Sequence, residues 1–125
     1  MKKIYQNVYL RKQTKLNFMA NNLFGRFYFK KTSNGNLVGE FSNNTSRSIS
    51  TESADKVESA DSYIGKYNTT WQENGIVRFA KLNISQKQET GNMIFTLEWK
   101  ENDNLIFVGE GMFCDNILIG DYQGA

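Results

Sequence analysis

A five-residue unit with glycine at its centre recurs along the chain: Leu23-Phe24-Gly25-Arg26-Phe27, Leu37-Val38-Gly39-Glu40-Phe41, Tyr63-Ile64-Gly65-Lys66-Tyr67, Phe107-Val108-Gly109-Glu110-Gly111 and Leu118-Ile119-Gly120-Asp121-Tyr122. Alternate residues of a strand share a face. The first, third and fifth positions therefore put a large apolar residue, Gly and usually an aromatic on one side. The second and fourth put an apolar residue and a charge on the other. Glycine inside a strand is destabilising unless a bend or a close approach needs it. Five glycines at one phase fit a tightly coiled sheet that closes on itself, with aromatic neighbours covering the gaps. The Gly/aromatic face is read as a barrel interior.

The rest of the sequence agrees. Candidate strands fall at 23–31, 36–42, 46–51, 63–72, 76–84, 93–100, 105–113 and 117–123. Turn residues separate them: Ser33-Asn34-Gly35, Asn74-Gly75, a longer stretch ending Thr90-Gly91-Asn92, Glu101-Asn102-Asp103, and Asp115-Asn116. Residues 43–62 are rich in Ser, Thr, Asn and charge, and read as a weak strand followed by one helical turn near Ser53–Asp61. Short, regular, sequentially local strands predict an all-β fold, an eight-stranded antiparallel up-and-down meander barrel. It spans 23–125 as one domain behind a basic N-terminal extension, 1–22. Met19, just before the first strand, offers an alternative start that leaves 1–18 a leader.

Hairpin register tests this reading. A two-residue Asn74-Gly75 turn pairs Trp71 with Arg78, Thr69 with Ala80, Tyr67 with Leu82 and Gly65 with Ile84, all inner with inner. A two-residue Asp115-Asn116 turn pairs Phe113 with Leu118, Gly111 with Gly120 and Gly109 with Tyr122. A three-residue Ser33-Asn34-Gly35 loop, with Gly35 left-handed, pairs Phe29 with Gly39 and Phe27 with Phe41.

Composition removes whole classes of chemistry. The 125 residues include no His and one Cys. That excludes His-ligated haem or zinc, His-dependent triads and an internal disulfide. There is no Gly-rich phosphate loop, CxxC pair or nucleophile elbow, so no metal, cofactor or catalytic residue is expected. Cys114, beside a turn and without a His partner, is not a nucleophile candidate. No apolar run near the start matches a signal-peptide core or a membrane span, and cytoplasm is the expected compartment. Asn43, Asn44, Asn68 and Asn83 match the glycosylation pattern by chance in so Asn-rich a chain. Charge is asymmetric: residues 1–31 carry eight Lys or Arg and no acid, whereas 32–125 carry seven bases and all thirteen acids, a net of −6. A basic arm on an acidic body can bind nucleic acid or an anionic surface, lie in solvent, or cover its own domain. Without an RNA- or DNA-binding signature, a nucleic-acid partner is not expected.

Trp71, Arg78 and Trp99 form the sharpest site candidate. Arg78 falls inside, opposite Trp71, and an Ile84–Met93 pairing would bring Trp99 to its other side. Arg over indole is worth roughly 0.5–2 kcal/mol. The group either clamps an anionic or planar ligand, or plugs the barrel end with its stem on Trp and its head in water. Glu110 and Asp121 come out opposite each other on the outer face, where like charges repel. They call for a cation, a Lys from another strand or another subunit, or are simply solvated. Phe24, Tyr28, Val38, Ile64, Phe79, Ile106, Val108, Met112, Ile117 and Ile119 also fall outside. Rows of such residues build either a self-association or partner surface, or a bed for the N-terminal arm.

The run from Asn36 to Ile84 resembles the avidin and wider lipocalin-like barrels in its strand pattern. It contains Leu37-Val38-Gly39-Glu40-Phe41, then Tyr63-Ile64-Gly65-Lys66-Tyr67-Asn68-Thr69-Thr70-Trp71, then an Asn-Gly turn into another strand. The resemblance implies a closed meander whose interior can hold one small ligand; it assigns no binding residue. The expected function is non-enzymatic binding of a small molecule in a cavity lined by Phe27, Phe41, Tyr67, Trp71, Arg78, Trp99, Phe107 and Tyr122. No inward pair of carboxylates is expected to support catalysis. The alternative is a protein-interaction or oligomerisation barrel with a filled core, working through its outer apolar rows. An interior cavity of about 300 Å³ reaching both Trp residues separates the two.

Overall fold

Hydrogen bonding between successive hairpins, not a helix or a long crossover, organises the chain. The computed structural model describes residues 22–59, 63–87 and 94–125. Eight antiparallel strands follow one another: β1 (Phe24–Lys31), β2 (Leu37–Asn43), β3 (Ser46–Ser59), β4 (Gly65–Glu73), β5 (Ile76–Gln86), β6 (Ile94–Glu101), β7 (Asn104–Cys114) and β8 (Ile117–Gly124). Each pairs with the next, and β1 pairs with β8 to close the barrel. No helix occurs among the described residues, so none there is long and apolar enough to cross a membrane. The basic extension lies outside them except for Asn22, as do Met19 and the loop ending Thr90-Gly91-Asn92.

Turn chemistry sets the register. Asn74 and Gly75 have φ of 52° and 80°, Asp115 and Asn116 54° and 64°, and Asn102 and Asp103 51° and 69°. Two successive positive φ values make the hairpin turns that match strand twist, and Asn, Asp and Gly tolerate them best. The expected pairs Trp71–Arg78, Tyr67–Leu82, Gly111–Gly120 and Phe27–Phe41 all form. Gly35 closes the three-residue loop at φ 86°.

The glycine phase has a steric cause. A Cβ at Gly39 would fall on the carbonyl oxygen of Tyr28, and one at Gly120 on that of Glu110. The strands coil so tightly there that only hydrogen fits between them.

Three expectations need correction. The helical turn expected near Ser53–Asp61 does not form over the described residues 53–59: β3 continues to Ser59, past the expected end at 51. Its inward positions Ser50, Glu52 and Ala54 carry no apolar alternation, so pairing with both neighbours decides its conformation, not its own propensity. The β5–β6 register also differs, since Ile84 pairs with Leu97 and not with Met93. A shift of four residues keeps every side chain on its expected face but moves Trp99 opposite Leu82 and Phe107, away from Arg78. Finally, Ile64 and Ile106 pack against the core. Ile64 precedes β4, and Ile106 sits at the irregularity between Trp99 and Lys100 of the β6–β7 ladder, so strict alternation fails at both.

One end of the barrel, called lower, carries the 33–35 and 115–116 turns; the upper end carries the 44–45, 74–75 and 102–103 turns. Phe29, Leu37, Tyr63, Tyr67, Ile84, Leu97 and Leu118 are fully buried. Tyr63 Oη donates to the Phe29 and Asn116 carbonyls at 3.1 and 3.3 Å, and Tyr67 Oη to the Tyr63 carbonyl at 2.9 Å. Those bonds satisfy the buried hydroxyls and tie the lower end shut.

Candidate functional site

The upper end is built differently. Inward positions of β1, β2, β4, β6, β7 and β8 deliver Phe27, Phe41, Trp71, Trp99, Phe107 and Tyr122, whose rings meet edge-on or tilted at 5.5–6.5 Å between centroids, for example Phe107–Tyr122 at 5.5 Å and Phe41–Trp71 at 6.5 Å. Such contacts fill space efficiently and hold each ring against its neighbours. They surround a cavity of about 20 Å³ that runs from Glu52 toward the rim at Glu73. That is room for one water-sized group, so the interior is filled and is not an open cavity of about 300 Å³. Beside the rim a polar hollow of about 320 Å³ opens between the β2–β3 and β4–β5 turns. It shares Phe41 and Glu73 with the aromatic mouth and is lined by Asn43, Ser46, Ser48, Ser50 and Asn74.

Glu52 went unread in the sequence. It is 5% exposed, inside the barrel, between Gly39 of β2 and Trp71 of β4. Its Oε2 accepts from Thr69 Oγ1 at 2.5 Å and from Trp99 Nε1 at 2.9 Å. No donor among the described residues reaches Oε1, and the residue lines the cavity. Burial pushes its carboxyl up to about 7 against the opposing pull of the two donors. A signal for it existed: a two-residue Asn44-Thr45 turn places the even-numbered residues of β3, Glu52 among them, inside.

Arg78 lies opposite Trp71 as expected, with Cζ 5.8 Å from the ring centroid. It does not line the cavity. Nε and Nη2 donate to the two oxygens of Glu101 at 2.9 Å each, and Nη1 to Glu73 Oε1 at 3.2 Å. Two carboxylates thus occupy the guanidinium, which is the plug arrangement and leaves no fork for an anion. Trp71 Nε1 donates to the same Glu73 oxygen at 3.3 Å. Tyr67 lies deeper and is also off the cavity. Six of the eight expected residues therefore line it, joined by Glu52 and Glu73, an inward carboxyl pair that was not expected. Tyr122 Oη accepts from Asn43 Nδ2 at 3.1 Å, and burial raises its hydroxyl to about 12, the Asn43 bond opposing and Glu73 and Glu52 adding to the rise.

Outside, Glu110 and Asp121 are cross-strand partners, and Lys87 Nζ pairs with Glu110 at 2.6 Å. Of the alternatives raised for this pair, a Lys, just past the end of β5, is the partner that Glu110 has, and no group of three metal-ligating side chains occurs among the described residues. Registers align Tyr28, Ile119, Met112 and Ile94 in one row across β1, β8, β7 and β6. Ile119 is 47% and Met112 52% exposed.

The fold and site define a class: a closed eight-stranded meander barrel, sealed below, with an aromatic mouth above a buried carboxyl. This architecture is consistent with a calycin-like barrel. Compared with known proteins, the chain matches no family model, no curated protein and no solved structure.

Proposed function

We propose that the protein is a non-enzymatic binder of a small molecule, taken at the upper end and not enclosed at the barrel centre. The observation that carries this reading is the adjacency of a 320 Å³ polar hollow to the aromatic mouth, the two sharing Phe41 and Glu73. That volume is in the usual range for small-molecule sites, and Phe41 with the rings behind it supplies the apolar side of an otherwise polar hollow. Absence of turnover is supported by Glu73, the only other carboxyl on the cavity among the described residues, being engaged by Arg78 and Trp71. Native mass spectrometry of freshly purified protein tests the proposal by showing a retained molecule above the 14.4 kDa chain. A bare chain mass, together with no change in Trp fluorescence on adding millimolar 2-phenylethylamine or saturating propylbenzene, overturns it.

A second reading, self-association, is favoured by the outer row of Tyr28, Ile119, Met112 and Ile94, which crosses four adjacent strands. Continuous apolar rows of that kind mark interfaces more often than isolated exposed residues do. The same mass spectrum counts subunits.

A further inference from the structure

We propose that the molecule taken at the mouth carries a primary amine, whose nitrogen sits on Oε1 of Glu52 while the rest of the molecule extends past Phe41 and Glu73 into the 320 Å³ hollow. The inference rests on the mouth being a binding site and names the chemistry of its ligand.

Four features converge on it. Glu52 is nine-tenths buried and lines the cavity, its Oε2 is saturated by Thr69 and Trp99, and its Oε1 has no donor among the described residues. A carboxylate oxygen there is an acceptor, so a donor completes it. The cavity beside it holds about 20 Å³, the room of a single water-sized group, and an ammonium has that size. A hydroxyl can donate as well, but the walls distinguish the two. Aromatic faces attract cations, most strongly indole, and Trp71 and Trp99 both line the cavity. The charges agree. Around the mouth three carboxyls, Glu52, Glu73 and Glu101, stand against one guanidinium, Arg78, which Glu73 and Glu101 already engage. An anion would meet excess negative charge, whereas an ammonium adds the missing positive one. A quaternary ammonium is excluded because it has no N–H to donate and exceeds the cavity.

Burial that resists ionisation of Glu52 fits the same picture. A carboxyl poised near neutrality ionises when a cation arrives, so proton release accompanies amine binding. Glu73 on β4 and Tyr122 on β8 are the titratable groups facing it.

The test compares 2-phenylethylamine with propylbenzene, which replaces the amine by a methyl, and with the N,N,N-trimethyl derivative. The readout is the fluorescence and indole N–H resonances of Trp71 and Trp99, the only two Trp in the chain. The amine is expected to bind about tenfold or more tighter than either analogue, as a charge-assisted hydrogen bond requires. Glu52→Gln abolishes the preference: its amide oxygen takes the place of Oε2 on Thr69 and Trp99 and turns a donor NH₂ toward the cavity. Propylbenzene binding survives in that variant. Equal affinity for all three compounds, or a preference unchanged in Glu52→Gln, overturns the amine assignment and leaves the mouth intact as a site. If neither Trp responds to any compound, the mouth itself is not a site. The comparison among compounds on the unaltered protein stands even if the variant does not fold.

Discussion

Replacing Glu52 by Gln is expected to change how stability depends on pH, in a direction fixed by the geometry. In the unfolded chain the carboxyl has its ordinary value of 4.5, and in the barrel it is raised to about 7. At pH below 4.5 both states are protonated and Glu52 contributes nothing to the pH dependence. Between 4.5 and about 7 the unfolded chain has lost this proton while the folded one keeps it, so stability falls as pH rises. Above about 7 both are ionised and the loss is complete. The difference between the two values corresponds to roughly 3 kcal/mol. That is a large part of the stability of a domain this size, commonly about 5–15 kcal/mol.

Gln has nearly the shape of a protonated Glu and does not titrate. Urea unfolding of both proteins, followed by Trp fluorescence at several pH values, isolates the residue. Glu73 and Tyr122 face Glu52 in both proteins and largely cancel in the difference. The two proteins should be of similar stability at acid pH. The Gln variant should gain on the wild type through the window from 4.5 to about 7 and remain ahead above it. A difference that stays flat across that window, or one that favours the wild type at alkaline pH, refutes the reasoning. Either would mean that Glu52 is solvated or paired with a cation in the folded state.

Three further perturbations test other parts of the structure. Gly120→Ala sets a methyl against the Glu110 carbonyl and is expected to lower stability by roughly 2 kcal/mol or more, as overpacking does, or to prevent folding; thermal melting by circular dichroism reads it. Arg78→Ala removes three hydrogen bonds to Glu73 and Glu101 at a partly exposed rim, and should lower stability by roughly 1–2 kcal/mol without weakening 2-phenylethylamine; weakened binding would restore the clamp reading. Ile119→Lys places a charge in the outer row and should shift any multimer to monomer on a sizing column without lowering the melting temperature, whereas an unchanged elution volume removes that row as an interface.

The barrel was legible because short turns carry register information. Asn74-Gly75 and Asp115-Asn116 fix two hairpins to the residue, and the glycine units repeat the inward phase in five strands. Where no short turn exists, the reading slipped. The connection between β5 and β6 runs from Lys87 to Met93, and hydrophobic alternation alone cannot distinguish Ile84–Met93 from Ile84–Leu97. The site was half legible for the same kind of reason. Aromatics announce themselves on the inner face, and six of them do line the cavity. Glu52 is hidden because β3 shows Ser, Glu and Ala where its neighbours show Phe, Leu and Trp, and a strand held by its neighbours needs no pattern of its own.

That concealment is also informative about the design of the site. Leu or Met at this interior position, flanked by Gly39 and Trp71, would avoid the ionisation penalty above pH 7. Instead the inner face of β3 runs Ser46, Ser48, Ser50, Glu52 from the rim downward, a polar stripe between Phe41 of β2 and Trp71 of β4. The upper end therefore has a polar wall, β3, set among aromatic ones, with the only buried carboxyl among the described residues at its bottom. Two unlike walls fix the orientation of an amphipathic molecule, which a uniformly apolar funnel could not do. A residue that lowers stability and sits where two such walls converge is most economically explained by what it holds.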